Sequence, residues 1–84
     1  DFYLIDYDFY IETKGLFIAS DRAKHLLIKE QHPDLDIRFI FSRPTNKLDK
    51  RSKSTYGDWC DKYGFLYAKE RIPVKWLKTT KTKT

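Results

Sequence analysis

Phe2, Leu4, Phe9 and Ile11 are apolar and alternate with more polar neighbours, a period of two that suits one face of a β-hairpin and not a helix. Residues 1–5 and 8–14 therefore read as two strands, with Asp6 and Tyr7 as the turn between them. A two-residue loop fixes the register: 5 opposite 8, 4 opposite 9, 3 opposite 10, 2 opposite 11 and 1 opposite 12. That pairing separates Phe2, Leu4, Phe9 and Ile11 from Asp1, Tyr3, Asp8, Tyr10, Glu12 and Lys14, so that one face packs and the other is free for chemistry. Asp1 then lies directly across from Glu12.

The hairpin is followed by elements with their own signals. After Gly15, Ser20 reads as the N-cap of a helix with Asp21 in its first turn, running through Leu26, Leu27 and Lys29 until Pro33 stops it. Residues 36–42 contain Ile37, Phe39, Ile40 and Phe41 and read as a buried strand. Residues 43–53 carry five basic residues and one acid, a mobile basic loop. Thr55 caps a second helix through Tyr63, Gly64 ends it, and residues 65–68 form a short final strand. Pro73 opens a last turn through Trp76 and Leu77. Residues 1–77 thus form one core, and residues 78–84, alternating Lys and Thr, form a basic flexible tail.

A chain of 84 residues holds one small domain with a thin margin of stability. No apolar run approaches the roughly 20 residues of a membrane span, and the acidic, aromatic start does not resemble a signal peptide. Cys60 stands alone, so it can make no internal disulfide and reads as core filler rather than as part of a zinc site. The net charge of +5 conceals an asymmetry: residues 1–13 hold Asp1, Asp6, Asp8 and Glu12 and no Lys or Arg. The remainder holds all 17 basic residues and 8 of the 12 acidic ones, a net of +9 that suits a polyanion such as DNA.

Two carboxylates about 5 Å apart across a hairpin repel unless something positive lies between them. A hard divalent cation with oxygen ligands, Mg2+ or Mn2+, meets that need, and such ions assist phosphodiester hydrolysis. Lys14 shares the face with Glu12 and can orient or deprotonate a water there, and the backbone carbonyl of Thr13 is a further candidate ligand. A Glu-x-Lys spacing alone is also what an ordinary surface ion pair on an exposed strand would show.

Longer stretches are more specific. Asp1-Phe2, residues 11–16 (IETKGL), residues 24–38 (KHLLIKEQHPDLDIR), Tyr56-Gly57 with Cys60, and Ile72-Pro73 with Trp76 resemble the phage endonuclease I family, the Holliday-junction-resolving enzymes of short-tailed phages. The resemblance covers nearly the whole chain. It implies an α/β, restriction-endonuclease-like core, a mixed β-sheet with flanking helices, in which the family's N-terminal helix with a further metal-site glutamate and its exchanged strand are missing from residues 1–84. It further implies a homodimer that nicks branched DNA in the host bacterial cytoplasm, with two metal ions per site and no small-molecule cofactor. On that reading Asp1 bridges the metals, Glu12 holds one, and Lys14 assists the water.

Arg22 and Lys24 open the first helix near Lys14 and can reach phosphates beside the scissile bond, and Lys47, Lys50, Arg51 and Lys53 supply further phosphate contacts from the loop. His25 and His32, seven apart on one helix, read as surface or capping residues, and Trp59 and Trp76 as core anchors. The competing reading is a non-catalytic basic DNA-binding module in which Asp1 and Glu12 are incidental.

Overall fold

A computed structural model describes residues 2–4 and 7–78, the side chains of Phe2, Leu4 and Lys78 excepted. Strand β1 (Phe2–Leu4) pairs antiparallel with β2 (Phe9–Lys14) in the register Phe2↔Ile11, Tyr3↔Tyr10, Leu4↔Phe9, as the alternation predicts. The predicted pairs 1–12 and 5–8 involve Asp1 and Ile5, which, with Asp6, lie outside the described residues. Asp8, at the boundary between the predicted turn and second strand, lies in the turn and takes a left-handed φ of 62°. An aspartate tolerates that region because its short polar side chain bonds locally, and its carboxylate accepts from the Tyr3 hydroxyl.

Helix α1 (Ala19–Gln31) carries the chain across to β3 (Ile37–Phe41), which pairs parallel with β2; α2 (Tyr56–Tyr63) then leads to β4 (Tyr67–Lys69), parallel to β3. The result is a mixed four-stranded sheet in the order β1-β2-β3-β4, built from one hairpin and two β-α-β crossovers that share β3. A parallel strand with both faces covered needs an unbroken apolar run, which is what Phe39, Ile40 and Phe41 provide. On one side of the sheet Phe39 and Phe41 join Phe17, Tyr56, Trp59, Cys60 and Phe65, with Leu26 of α1 packed against them. On the other, Phe9, Ile11 and Ile40 pack against Trp76 of α3 (Val74–Lys78). Both tryptophans and Cys60 are core residues, as predicted.

Several local expectations give way to packing. Ser20 is not the cap of α1: Ile18 takes that place with φ −75° and ψ 168°, makes no side-chain cap bond, and its carbonyl accepts from Arg22 N at 3.1 Å. Phe17 is fully buried and its carbonyl accepts from the Arg22 guanidinium at 2.5 Å, so core insertion of residue 17 decides where the helix begins. Phe65, predicted as strand, instead stacks on Trp59 at 5.3 Å, and β4 starts two residues later. The polar face of the hairpin is covered at the end that carries Glu12 and Lys14, where Asp21 and His25 of α1 meet it, while Tyr3 and Tyr10 stay exposed. The basic loop is tied down rather than free: Leu48 N bonds Ser54 O at 2.9 Å, Tyr56 N bonds Asn46 O at 2.9 Å, and Asp49 accepts from Arg51 N and Ser52 N. Helix α3 extends to Lys78, one residue into the expected tail, and residues 79–84 lie outside the described residues.

Candidate active site

Alternation along β2 directs Tyr10, Glu12 and Lys14 to the side that α1 covers, and the parallel register sets Glu12 beside Phe39 and Lys14 beside Phe41. From α1, Asp21 and His25 come to meet them. Residues four apart on a helix lie on one face about 6 Å apart, close to the spacing of residues two apart on a strand, so the two pairs match. Lys14 Nζ lies 3.8 Å from Asp21 Oδ2 and 3.7 Å from Glu12 Oε1, and His25 Nε2 lies 3.8 Å from the same Glu12 oxygen.

The electrostatics of this group are uneven. His25 is 1% exposed, the one buried polar side chain among the described residues, with Phe39 edge-on at 4.9 Å and Phe17 tilted at 6.5 Å. Burial first, then Lys24 and Lys14, hold its imidazole down to about 4, so it is neutral at physiological pH and its approach to Glu12 is not an ion pair. Glu12 Oε1 and both ring nitrogens of His25 have no hydrogen-bond partner among the described residues, and 3.8 Å is too long for one between them. Glu12 and Lys14 nonetheless keep 20% and 15% side-chain exposure, enough to be reached from solvent.

Glu12 is reached through a cleft of about 300 Å³ between β2, β3 and α1, lined by Tyr10, Glu12, Lys24, His25, Ile28, Leu35 and Ile37. An apolar cleft with a carboxylate and an imidazole in its wall and a lysine at its edge is suited to a ligand that is partly charged and partly flat. No group of three metal-ligating side chains occurs among the described residues. Of the predicted metal-holding residues, Asp1 lies outside them, Glu12 opens onto the cleft, and Thr13 sits mid-strand with its side chain exposed.

The predicted DNA-contacting residues are scattered. Arg22 is held against the Phe17 carbonyl, Lys24 is exposed at the cleft, and Lys47, Lys50, Arg51 and Lys53 are exposed on the β3–α2 loop and line none of the cleft. His32 is exposed at the C-cap of α1, as expected. His25 is a correction: it is neither surface nor cap but the most enclosed polar group near Glu12. The signal was its helical phase, since positions 21, 25 and 28 recur on one face.

Comparison with known proteins meets this geometry. The family described as Phage endonuclease I matches residues 1–84. The chain is 52% identical over 79 residues to Endodeoxyribonuclease 1 of Enterobacteria phage T3, covering 94% of this chain and 52% of that protein. It is 48% identical over 79 residues to Endonuclease I of Escherichia phage T7, covering 94% of this chain and 53% of that one. The chain therefore spans about half the length of these curated relatives. With a family match along its whole length, and with Glu12 and, from the run Lys24 to Arg38, Lys24, His25, Ile28, Leu35 and Ile37 lining one cleft, this chain belongs to the phage endonuclease I family.

Proposed function

We propose that this chain is the catalytic-strand portion of a metal-dependent DNA endonuclease with a restriction-endonuclease-like core, hydrolysing phosphodiester bonds in branched DNA such as four-way junctions. The observation that carries the reading is Glu12 Oε1, an acceptor without a hydrogen-bond partner, set beside Lys14 at the wall of an open cleft. Leaving a carboxylate oxygen unpartnered costs stability, and a protein keeps such a cost where a ligand satisfies it. A hard oxygen donor suits Mg2+ or Mn2+. Asp1, Glu12 and the Thr13 backbone carbonyl are the residues that would hold a pair of such ions; Asp1 precedes Phe2 as Glu12 follows Ile11, the partner of Phe2. Bound there, the metal supplies Lewis-acid stabilisation of charge on the phosphate and a more acidic attacking water.

The chain's own residues do the rest. Lys14, between Glu12 and Asp21, can donate from Nζ to the attacking water or to a phosphate oxygen and so fix the line of attack. Lys24 binds a phosphate at the cleft, while Lys47, Lys50, Arg51 and Lys53, with Arg22 at the start of α1, give sequence-independent contacts to more distant phosphates. A homodimer would present two such sites to opposing strands of a junction in the host cell cytoplasm. The test is Glu12→Gln in the full-length protein that contains this chain. Junction cleavage in Mg2+ should fall on the order of a thousandfold while junction binding holds within a few-fold, because the phosphate contacts are separate from the metal ligand. Cleavage at the wild-type rate would instead favour a DNA-binding module without catalysis.

A further inference from the structure

We propose that His25 is a positioning residue, whose Nε2–H donates to Glu12 Oε1 and fixes the carboxylate in the orientation that a metal ion needs. The inference rests on the reading of Glu12 as a metal-holding residue, and its support is independent of the comparisons. Among the described residues three buried side-chain atoms have no hydrogen-bond partner, and all three belong to His25 and Glu12. Two of them, Nε2 and Oε1, stand 3.8 Å apart, so a rotation of either side chain by less than 1 Å at its tip converts the approach into a hydrogen bond.

Packing alone does not account for a histidine here. Position 25 is 1% exposed and faces Phe39 and Phe17, an environment that a leucine or phenylalanine would fill without any unpaired nitrogen. The two aromatic rings flank the imidazole and α1 holds its backbone, so the donor is confined close to Glu12 and a small movement completes the bond. A carboxylate that is the ligand of a cation gains from such an outer partner, because the donor removes the freedom of the carboxylate to rotate away. Glu12 has a second neighbour in Lys14, but that ammonium is also drawn toward Asp21 at 3.8 Å. Among the described residues Glu12 is the one carboxylate within 4 Å of the His25 ring nitrogens; Asp21, Lys14 and Lys24 act on it only as charges at longer range.

Nitrogen-detected NMR of the imidazole in the wild-type full-length protein reads the arrangement directly. The expected result is a single neutral tautomer with the proton on Nε2 and Nδ1 bare; a proton on Nδ1 overturns the proposal. Titration with Mg2+ alone, followed by calorimetry, adds a readout that packing would not move. His25→Phe keeps the aromatic contacts and removes the donor, and it should weaken Mg2+ binding by roughly 10–100-fold while junction binding in EDTA stays at the wild-type value. His25→Gln restores a donor and should recover part of that loss. If Glu12→Gln stops cleavage but His25→Phe binds Mg2+ as wild type does, the nuclease reading stands and the positioning role is lost. If Glu12→Gln leaves cleavage and Mg2+ binding intact, both fall together.

Discussion

The two β-α-β units share β3 but are built to different rules. In the second, β3-α2-β4, the local signals of the helix agree: Thr55 and Asp58 form a reciprocal capping box at 3.1 and 2.9 Å, Gly64 closes the helix at a left-handed φ of 79°, and Tyr56, Gly57, Trp59 and Cys60 are all buried. In the first, β2-α1-β3, the helix starts without a side-chain cap, its one buried residue is a histidine, and three buried polar atoms lack partners. Sequences that specify one structure satisfy their local rules, and departures gather where function demands them. The second unit is thus the half of the domain whose local rules are satisfied, and the first the half that holds the proposed site. Substitutions should divide accordingly.

The largest effect on stability should come at Gly57. A Cβ added there would stand 2.7 Å from the Tyr67 hydroxyl oxygen and 2.8 Å from the ring carbon that bears it, so either the half-buried Tyr67 ring or the spacing of α2 and β4 has to shift. Alanine gains up to about 1 kcal/mol of helix propensity over glycine, and less so near the start of a helix. Overpacking against a ring on a paired strand costs about 1–3 kcal/mol, so the clash wins. Gly57→Ala should lower the melting temperature by roughly 4–8 °C for each kcal/mol lost. Glu12→Gln, which removes a carboxylate with an unpartnered oxygen, should leave it almost where it was. Equal losses at the two positions would erase the division between the units.

A smaller contrast concerns the helix starts. Thr55→Ala removes half of the capping box and should cost about 1 kcal/mol in chemical denaturation. Ser20→Ala, at the position that sequence reasoning assigned to the cap of α1, should change stability by less than about 0.5 kcal/mol, because Ser20 lies inside the helix and caps nothing. A loss at Ser20 as large as at Thr55 would mean that α1 has a cap the structure does not show.

The same division explains what could be read from the sequence. The hairpin register was legible because alternation and loop length constrain each other, and a slip of one residue would have turned Phe9 and Ile11 outward. Helix α2 was legible because its Thr, Asp and Gly signals are all local. The start of α1 was not, since it follows from the insertion of Phe17 among Phe39, Phe41 and Trp59, residues distant in sequence. Glu12 and Lys14 could be placed on one face by their spacing alone. His25 and Asp21 could not be assigned to them, because that requires knowing that the α1 crossover returns over the polar face of β2. Asp1, the other carboxylate the sequence pointed to, lies outside the described residues.

Cys60 offers the finest probe of the comparison, as a lone thiol inside the second unit. It is fully buried, and burial, with Asp61 nearby, pushes its thiol up from an ordinary 9.0 to about 12. The folded chain therefore keeps this proton through a range in which the unfolded chain gives it up. Protons bound more tightly in the folded state mean that stability falls as pH rises, here between about 9 and 12, with no contribution from Cys60 below that window. Since the thiolate is the reactive species, alkylation at pH 8 has to wait for α2 to open. Labelling of the native protein by iodoacetamide should be slow, and Gly57→Ala and Thr55→Ala should both accelerate it by lowering the free energy of that opening. Glu12→Gln should leave the rate unchanged, because the first unit can lose its carboxylate without loosening the second. Acceleration by Glu12→Gln equal to that by Thr55→Ala would show that the two units open as one, and that the unit holding the proposed site is not energetically separate from the other.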